Sequence, residues 1–523
     1  LRESGVVAGA LLLTACSLLV QSNAVQCKVD SDCSVFDAGG AAIVCVDTVC
    51  VGPGVGGPCM ANTDCVTRSG GQPAICRNDT HECVALLSAN CATVFGDYQS
   101  DDAIVLGSIL SLSGEQASSG MDELQSAELA LTDFTNTTVG LPAGADGKPR
   151  PLALVECDDT GDDTVATTAA THLVNDIGVP AILGPDASGL CTAVINNVTI
   201  PAKVLLISPA ATSATLSGIS PYFWRTSPSD DIQAVPLRLS VAEIATADSL
   251  NPIKLAILYK SDTYGTGLYA SVTSTLQING APVGAAQNSA NFEPVEYNAD
   301  GSDIAAGVAQ IVAFQPNLIA LFGTNEVVSS GLDAIESSWP TGPARPFYLI
   351  SDGGECQELL TEMSTNTGVR TRVRGTVPGT NNPLFQAFSL EYQGTYGAPA
   401  EVFGMAGSYD SIYLLAYAIT SIGSGMINGT AVSNGMDKMV GGAPINVGTG
   451  DIKSAFNTLS AGNAIAINGA SGPLHFDLTE HEAPSDINVW CVGLDGSNNP
   501  EFESSGRSYD ATSSMMVGTF SCP

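Results

Sequence analysis

Positive charge is what this sequence lacks most. Its 523 residues carry 18 lysines and arginines against 53 aspartates and glutamates, for a net charge of −35. So few cations cannot form a basic patch. A chain this acidic repels phosphate backbones and anionic lipid, so nucleic acid is excluded as a partner and solubility is the simplest reading of the charge. Histidine is also scarce: His81, His172, His475 and His481 are scattered along the chain. No G-x-S-x-G elbow, HExxH pair or Walker A loop occurs, and nothing pairs a nucleophile with a base. An enzyme is therefore not expected. There is no C-x2-C pair, and His81 is the only histidine near the cysteine-rich region, which argues against structural zinc. The acidic run Asp158-Asp159-Thr160-Gly161-Asp162-Asp163 lacks the length and closing glutamate of a calcium loop. Neither a cofactor nor a metal is expected.

Long apolar runs are missing too. After the first residues, no stretch reaches the roughly 18 apolar residues of a membrane span. The one early run, Val6 to Val20 behind Arg2, has the length of a signal-peptide core. Within it, Leu13-Thr14-Ala15-Cys16 looks like a bacterial lipobox, with Cys16 as the lipidated residue. The alternative is cleavage after Ser22-Asn23-Ala24. Residues 1–26 are thus assigned to export, with a lipid anchor holding the chain to a membrane in the periplasm or at the cell surface.

Cysteine, by contrast, is abundant. There are 15, and setting Cys16 aside leaves 14, which allows seven disulfides in an oxidising compartment. Nine fall within residues 27–91. Cys27-x5-Cys33 and Cys45-x4-Cys50 are followed by Cys59-x5-Cys65 and Cys76-x6-Cys83. The two sets read as two small stapled modules, too short to fold on a core alone, acting as a spacer or docking piece.

From about Asp102 the texture becomes strand and helix in alternation. Strands are expected at 103–109, 152–156, 180–183, 203–207, 253–259, 318–322 and 346–350. Met121, Leu124, Ala127, Leu131 and Phe134 mark a helix face, and a second helix is expected over 163–177. This pattern argues for parallel, doubly wound sheets, and its length argues for two of them. Ligands in such sheets sit at the carboxyl ends of strands. The strand ending at Leu183 runs into Gly184-Pro185-Asp186-Ala187-Ser188, where a helix start would offer N–H groups to an anion.

Several blocks in order resemble the type I periplasmic binding proteins, the family of leucine/isoleucine/valine-binding proteins and receptor ligand-binding regions. They are Val105-Leu-Gly-Ser-Ile-Leu-Ser-Leu-Ser113-Gly114, Leu154-Val-Glu-Cys-Asp158-Asp159 and Ala181-Ile-Leu-Gly184-Pro. Ile207-Ser208-Pro209-Ala210-Ala211-Thr212, Ala256 to Gly265 and Tyr409 to Ala416 continue the series. The resemblance implies an α/β architecture of two Rossmann-like lobes with parallel sheets joined by a three-crossing hinge, behind the disulfide-rich segment. Lobe 1 would hold 102–228 and 378–472, and lobe 2 would hold 229–377 and 473–523. The crossings fall near 225–231, 374–379 and 471–477.

The resemblance also implies a small amino-acid-like ligand in the cleft, delivered to an ABC permease; a sensor signalling through a partner is the alternative. Ser188, the backbone of Ala210, and Thr212 would hold the ligand carboxylate. Asp352 would face its ammonium, and Tyr264 would close over it. Asn325 stands in the segment where the family often has tyrosine. Ser119 before Gly120, and Asp186 where apolar residues are common, depart from branched-chain binders toward a polar or cationic side chain. Cys157 and Cys191, at the ends of strands read as adjacent, are expected to pair. Of Cys356, Cys491 and Cys522, two pair and the third is left for Cys91.

Overall fold

Runs of branched apolar residues set the frame of the protein, and their alternation decides which face of a sheet each side chain meets. The computed structural model describes residues 59–77, 80–143, 147–379 and 382–522, with Lys28, Val44–Val46 and Val49–Val51. Cys16, Cys27 and Cys33 lie outside the described residues. The backbone hairpin Val44–Val46 with Val49–Val51 is the described part of the first cysteine module.

The first sheet contains β1 (Cys91–Gly96), β2 (Ile104–Leu110), β3 (Leu152–Asp158), β4 (Ala181–Leu183), β5 (Leu205–Ser208) and β6 (Phe223–Arg225), in the order β6-β5-β4-β2-β3-β1. All pairs are parallel except β1 with β3. Leu106, Leu110 and Leu154 point to one face, where they meet α1 (Ala117–Thr138) and α2 (Met405–Ser421). Val105, Ile109, Ala153 and Val155 point to the other face. Helices on both faces explain why these strands read as nearly continuous apolar runs.

The second sheet begins with β7 (Leu255–Lys260), β8 (Phe292–Tyr297), β9 (Leu318–Phe322), β10 (Phe347–Ile350) and β11 (Val373–Pro378). It ends with β12 (Ile487–Leu494), β13 (Pro500–Asp510) and β14 (Met515–Gly518). The order is β8-β7-β9-β10-β11-β12-β13-β14, with the last three strands antiparallel.

Four sequence expectations need correction. Cys157 bonds Cys91, not Cys191. The reason is topological: β2 lies between β3 and β4, so Cys157 is not beside the turn that carries Cys191, whereas Cys91 stands opposite Cys157 in register. Cys191 is free and buried, its Sγ 3.2 Å from the Pro185 carbonyl. Second, Cys491 pairs with Cys522 and Cys356 is free, so seven disulfides do not form. Third, the sheet starts at Cys91 rather than near residue 102, because β1 is its edge strand.

Fourth, the third crossing lies near 483–487 rather than 471–477. Pro473–Leu474 folds back on Ile465–Asn468, and Leu474, Phe476 and Ala483 pack into the first-lobe core with Trp224. Glu482 meets Arg225, and only at Ile487 does the chain join β11.

The second cysteine module is pinned to the first lobe. Its disulfides are Cys59–Cys76 and Cys65–Cys83. Three of these sulfurs lie close enough together for a metal, but all are spent in the two disulfides. Arg77 donates to the carbonyls of Asn175 and Asp176, each at 2.9 Å, and the Asn62 amide donates to the Tyr98 and Ser100 carbonyls. Among the described residues, no helix is long and apolar enough to cross a membrane.

Candidate functional site

Both sheets turn the carboxyl ends of their strands toward one cavity of about 60 Å³. From the first lobe come Asp186, Ala187 and Ser188 after β4, Ala210 after β5, and Glu123 from α1. From the second come Asp262 and Tyr264 after β7, Thr324 and Asn325 after β9, and Asp352 and Gly353 after β10. Gly353 is required by close approach: a Cβ there would sit 2.6 Å from the Gly323 carbonyl oxygen and 3.3 Å from the Tyr264 ring.

The lobes touch directly around the cavity. Ser213 donates to the Thr263 carbonyl at 3.0 Å, Ser118 to Glu358 at 3.0 Å, and Asn325 to the Glu115 carbonyl at 3.2 Å. Buried Arg225 fixes the loop beyond Ala210 by donating to the carbonyls of Ala211 and Ser213, while its Nε donates to Glu482 at 2.8 Å. One guanidinium therefore ties the site loop to the returning strand.

Five of the residues expected at the site, Ser188, Ala210, Tyr264, Asn325 and Asp352, line this cavity. Thr212 does not; it is buried beside Asp230, whose backbone N–H donates to the Thr212 carbonyl at 2.8 Å. Ser188 opens a short helix, but its hydroxyl accepts from the Ser213 N–H at 3.2 Å instead of capping that helix. The Asp352 carboxylate accepts from Tyr264 at 2.5 Å and from the Gln233 amide at 2.9 Å. The Tyr264 oxygen also lies 2.8 Å from the Ser351 hydroxyl. Asp352 is held by its neighbours and caps nothing.

The electrostatics are one-sided. Glu123, Asp186, Asp262, Asp352 and Glu355 line the cavity, with no lysine, arginine or histidine among the lining residues. The nearby Lys260 is engaged with Glu326 at 3.2 Å. Burial pushes the carboxyls of Glu123 and Glu355 well above the usual range, and for Glu123 the charges of Asp186 and Asp159 push further. Behind them Asp159 is pushed up to about 7 by burial and then by Asp186. Asp230 is raised well above its ordinary value by burial and by Asp352, and neither of its oxygens has a hydrogen-bond partner.

Sequence reasoning missed Glu123, Gln233 and Glu355. Glu123 lies one turn before Ala127 on the buried side of α1, which is the signal that could have found it. Met121, read as part of that face, is 39% exposed.

The model that describes periplasmic binding proteins matches residues 103–454. The chain belongs to this family. Solved structures share its type I fold. The binding protein is 20% identical to the branched-chain amino acid transporter substrate-binding protein LivJ from Streptococcus pneumoniae, in complex with isoleucine (TM-score 0.55; 77% of this chain and 99% of that one). It is 16% identical to a solute-binding protein of an ABC transporter from Rhodopseudomonas palustris BisB5, in complex with 3,4-dihydroxybenzoic acid (TM-score 0.59; 78% and 98%). It is 18% identical to an ABC transporter substrate-binding protein from Desulfitobacterium hafniense, in complex with Leu (TM-score 0.51; 77% and 99%). No curated protein matches the sequence significantly.

Proposed function

We propose that this binding protein captures a small ligand with an amino-acid head group between its lobes, outside the cytoplasm, and delivers it to an ABC importer. The observation that carries this reading is the placement of Asp352, held by Tyr264 and Gln233, in the same cavity as Ser188 and Ala210 of the other lobe. An ammonium suits the carboxylate, and the hydroxyl and backbone across the cavity suit a carboxylate. A ligand with both charges bridges the lobes, so that binding and closure are one event. The solved neighbours in complex with isoleucine and Leu agree with this head group, and the lining, which lacks any cation, fits an aromatic acid less well.

Calorimetric titration tests the assignment. Asp352→Asn keeps the shape and removes the charge, and should weaken binding by about 2–5 kcal/mol, roughly 30- to several-thousand-fold. Ser188→Ala should cost about 1–3 kcal/mol. Parent-like affinity in Asp352→Asn would show that no ammonium sits there. Attachment to a membrane through Cys16 rests on Leu13-Thr14-Ala15-Cys16 alone. Cys16→Ala is expected to release the protein and to abolish labelling by a tagged fatty acid.

A further inference from the structure

The head group occupies Ser188, Ala210 and Asp352, which leaves the acidic end of the cavity unexplained. Glu123 is 2% exposed and lines the cavity, and its Oε2 has no hydrogen-bond partner. Asp186 is 6% exposed and lines it as well, its side chain accepting from the Ala187 N–H at 2.7 Å. Two buried carboxyl groups on one wall, one of them incompletely satisfied, are costly unless something of opposite charge arrives. The protein supplies only part of it: Lys260 eases the charge on Asp186 but is itself paired with Glu326, Arg225 is paired with Glu482, and no cationic side chain lines the cavity.

We infer that the ligand carries a second positive charge, an ammonium or guanidinium on its side chain, received by Glu123 and Asp186. This rests on the amino-acid head group proposed above. Phe403 and Val402, which also line the cavity, offer an apolar wall for the alkyl stem between the two charges. An organic cation fits better than a metal ion. Among the described residues, no three carboxylates bring oxygens within 4.8 Å of one another, whereas a hard cation needs several oxygens at roughly 2.0–2.6 Å from itself. The raised affinity of Glu123 for its proton has the same origin: a buried acid beside other acids holds a proton until a cation replaces it.

Titration of the full chain with L-lysine, L-arginine, L-norleucine and cadaverine tests the inference. Norleucine has the head group and stem of lysine without the second amine; cadaverine has both amines without the carboxylate. Lysine or arginine should bind at least about 30-fold more tightly than norleucine. Glu123→Gln and Asp186→Asn, each checked for a retained unfolding transition, should each shrink that ratio at least about 10-fold. Norleucine binding as tightly as lysine and arginine would overturn the second charge and leave the head-group reading standing. Cadaverine binding with no amino acid bound would sustain the acidic subsite and overturn the head-group reading. Failure of all four probes would overturn both.

Discussion

A single buried carboxyl group shows how strongly the cleft is poised by its own charge. Asp159 accepts from Ser111 at 2.6 Å and from the Gly161 N–H at 2.9 Å, and its other oxygen has no partner. Its pKa is about 7 in the folded protein, against an ordinary value near 3.8. The folded state therefore binds more protons than the unfolded state between those values. The resulting stability is fully present below the ordinary pKa and is lost as pH rises through about 7. Ligand-free protein should become less stable from pH 5 to pH 8, with Asp159 contributing about 2–4 kcal/mol of that fall. Asp159→Asn should flatten the slope in urea titrations at a series of pH values; an unchanged slope would remove Asp159 from the account. At this scale the sequence was informative where a residue follows closely on the carboxyl end of a strand, as Ser188, Tyr264 and Asp352 do. It was silent on Glu123, because helical spacing shows a buried stripe but not that a cavity interrupts it.

At the scale of elements, strand positions were legible because each is a short run of branched apolar residues bounded by Gly, Pro or Asp. Strand order was not, since it depends on contacts between distant segments. Reading β3 and β4 as neighbours led to the Cys157–Cys191 pairing, when β2 lies between them. The third crossing near 471–477 was implied by the resemblance and fell early. In the fold that stretch is a small hairpin inside the first lobe. The bond that does form, Cys91–Cys157, closes a span of 66 residues and holds β1 on the sheet edge. Cys91→Ser combined with Cys157→Ser should lower the free energy of unfolding by about 2–4 kcal/mol, as read from denaturant midpoints. β1 should also lose its amide hydrogen-exchange protection. Full protection without the bond would mean that the β1 ladder alone holds the edge.

For the whole molecule, the charge of −35 sets the response to salt. Like charges repel within the folded chain, and salt screens them. The midpoint of thermal unfolding should rise between low salt and about 0.5 M NaCl; a flat response would mean that the acidic groups are too dispersed to matter. A saturating ligand at about 100 times its dissociation constant should add roughly 2.7 kcal/mol. That margin makes a thermal-shift survey of amino acids practical.

The pinned cysteine module gives the two lobes different mechanical standing. Arg77 and the Asn62 amide fasten the module to the first lobe, and neither of these contacts reaches the second. A pull on the N-terminal side of the module is therefore borne by the first lobe as by an anvil. The load bypasses the cleft, because the second lobe meets the first through contacts around the cavity, such as Ser213 with the Thr263 carbonyl and Ser118 with Glu358, to which the module contributes nothing.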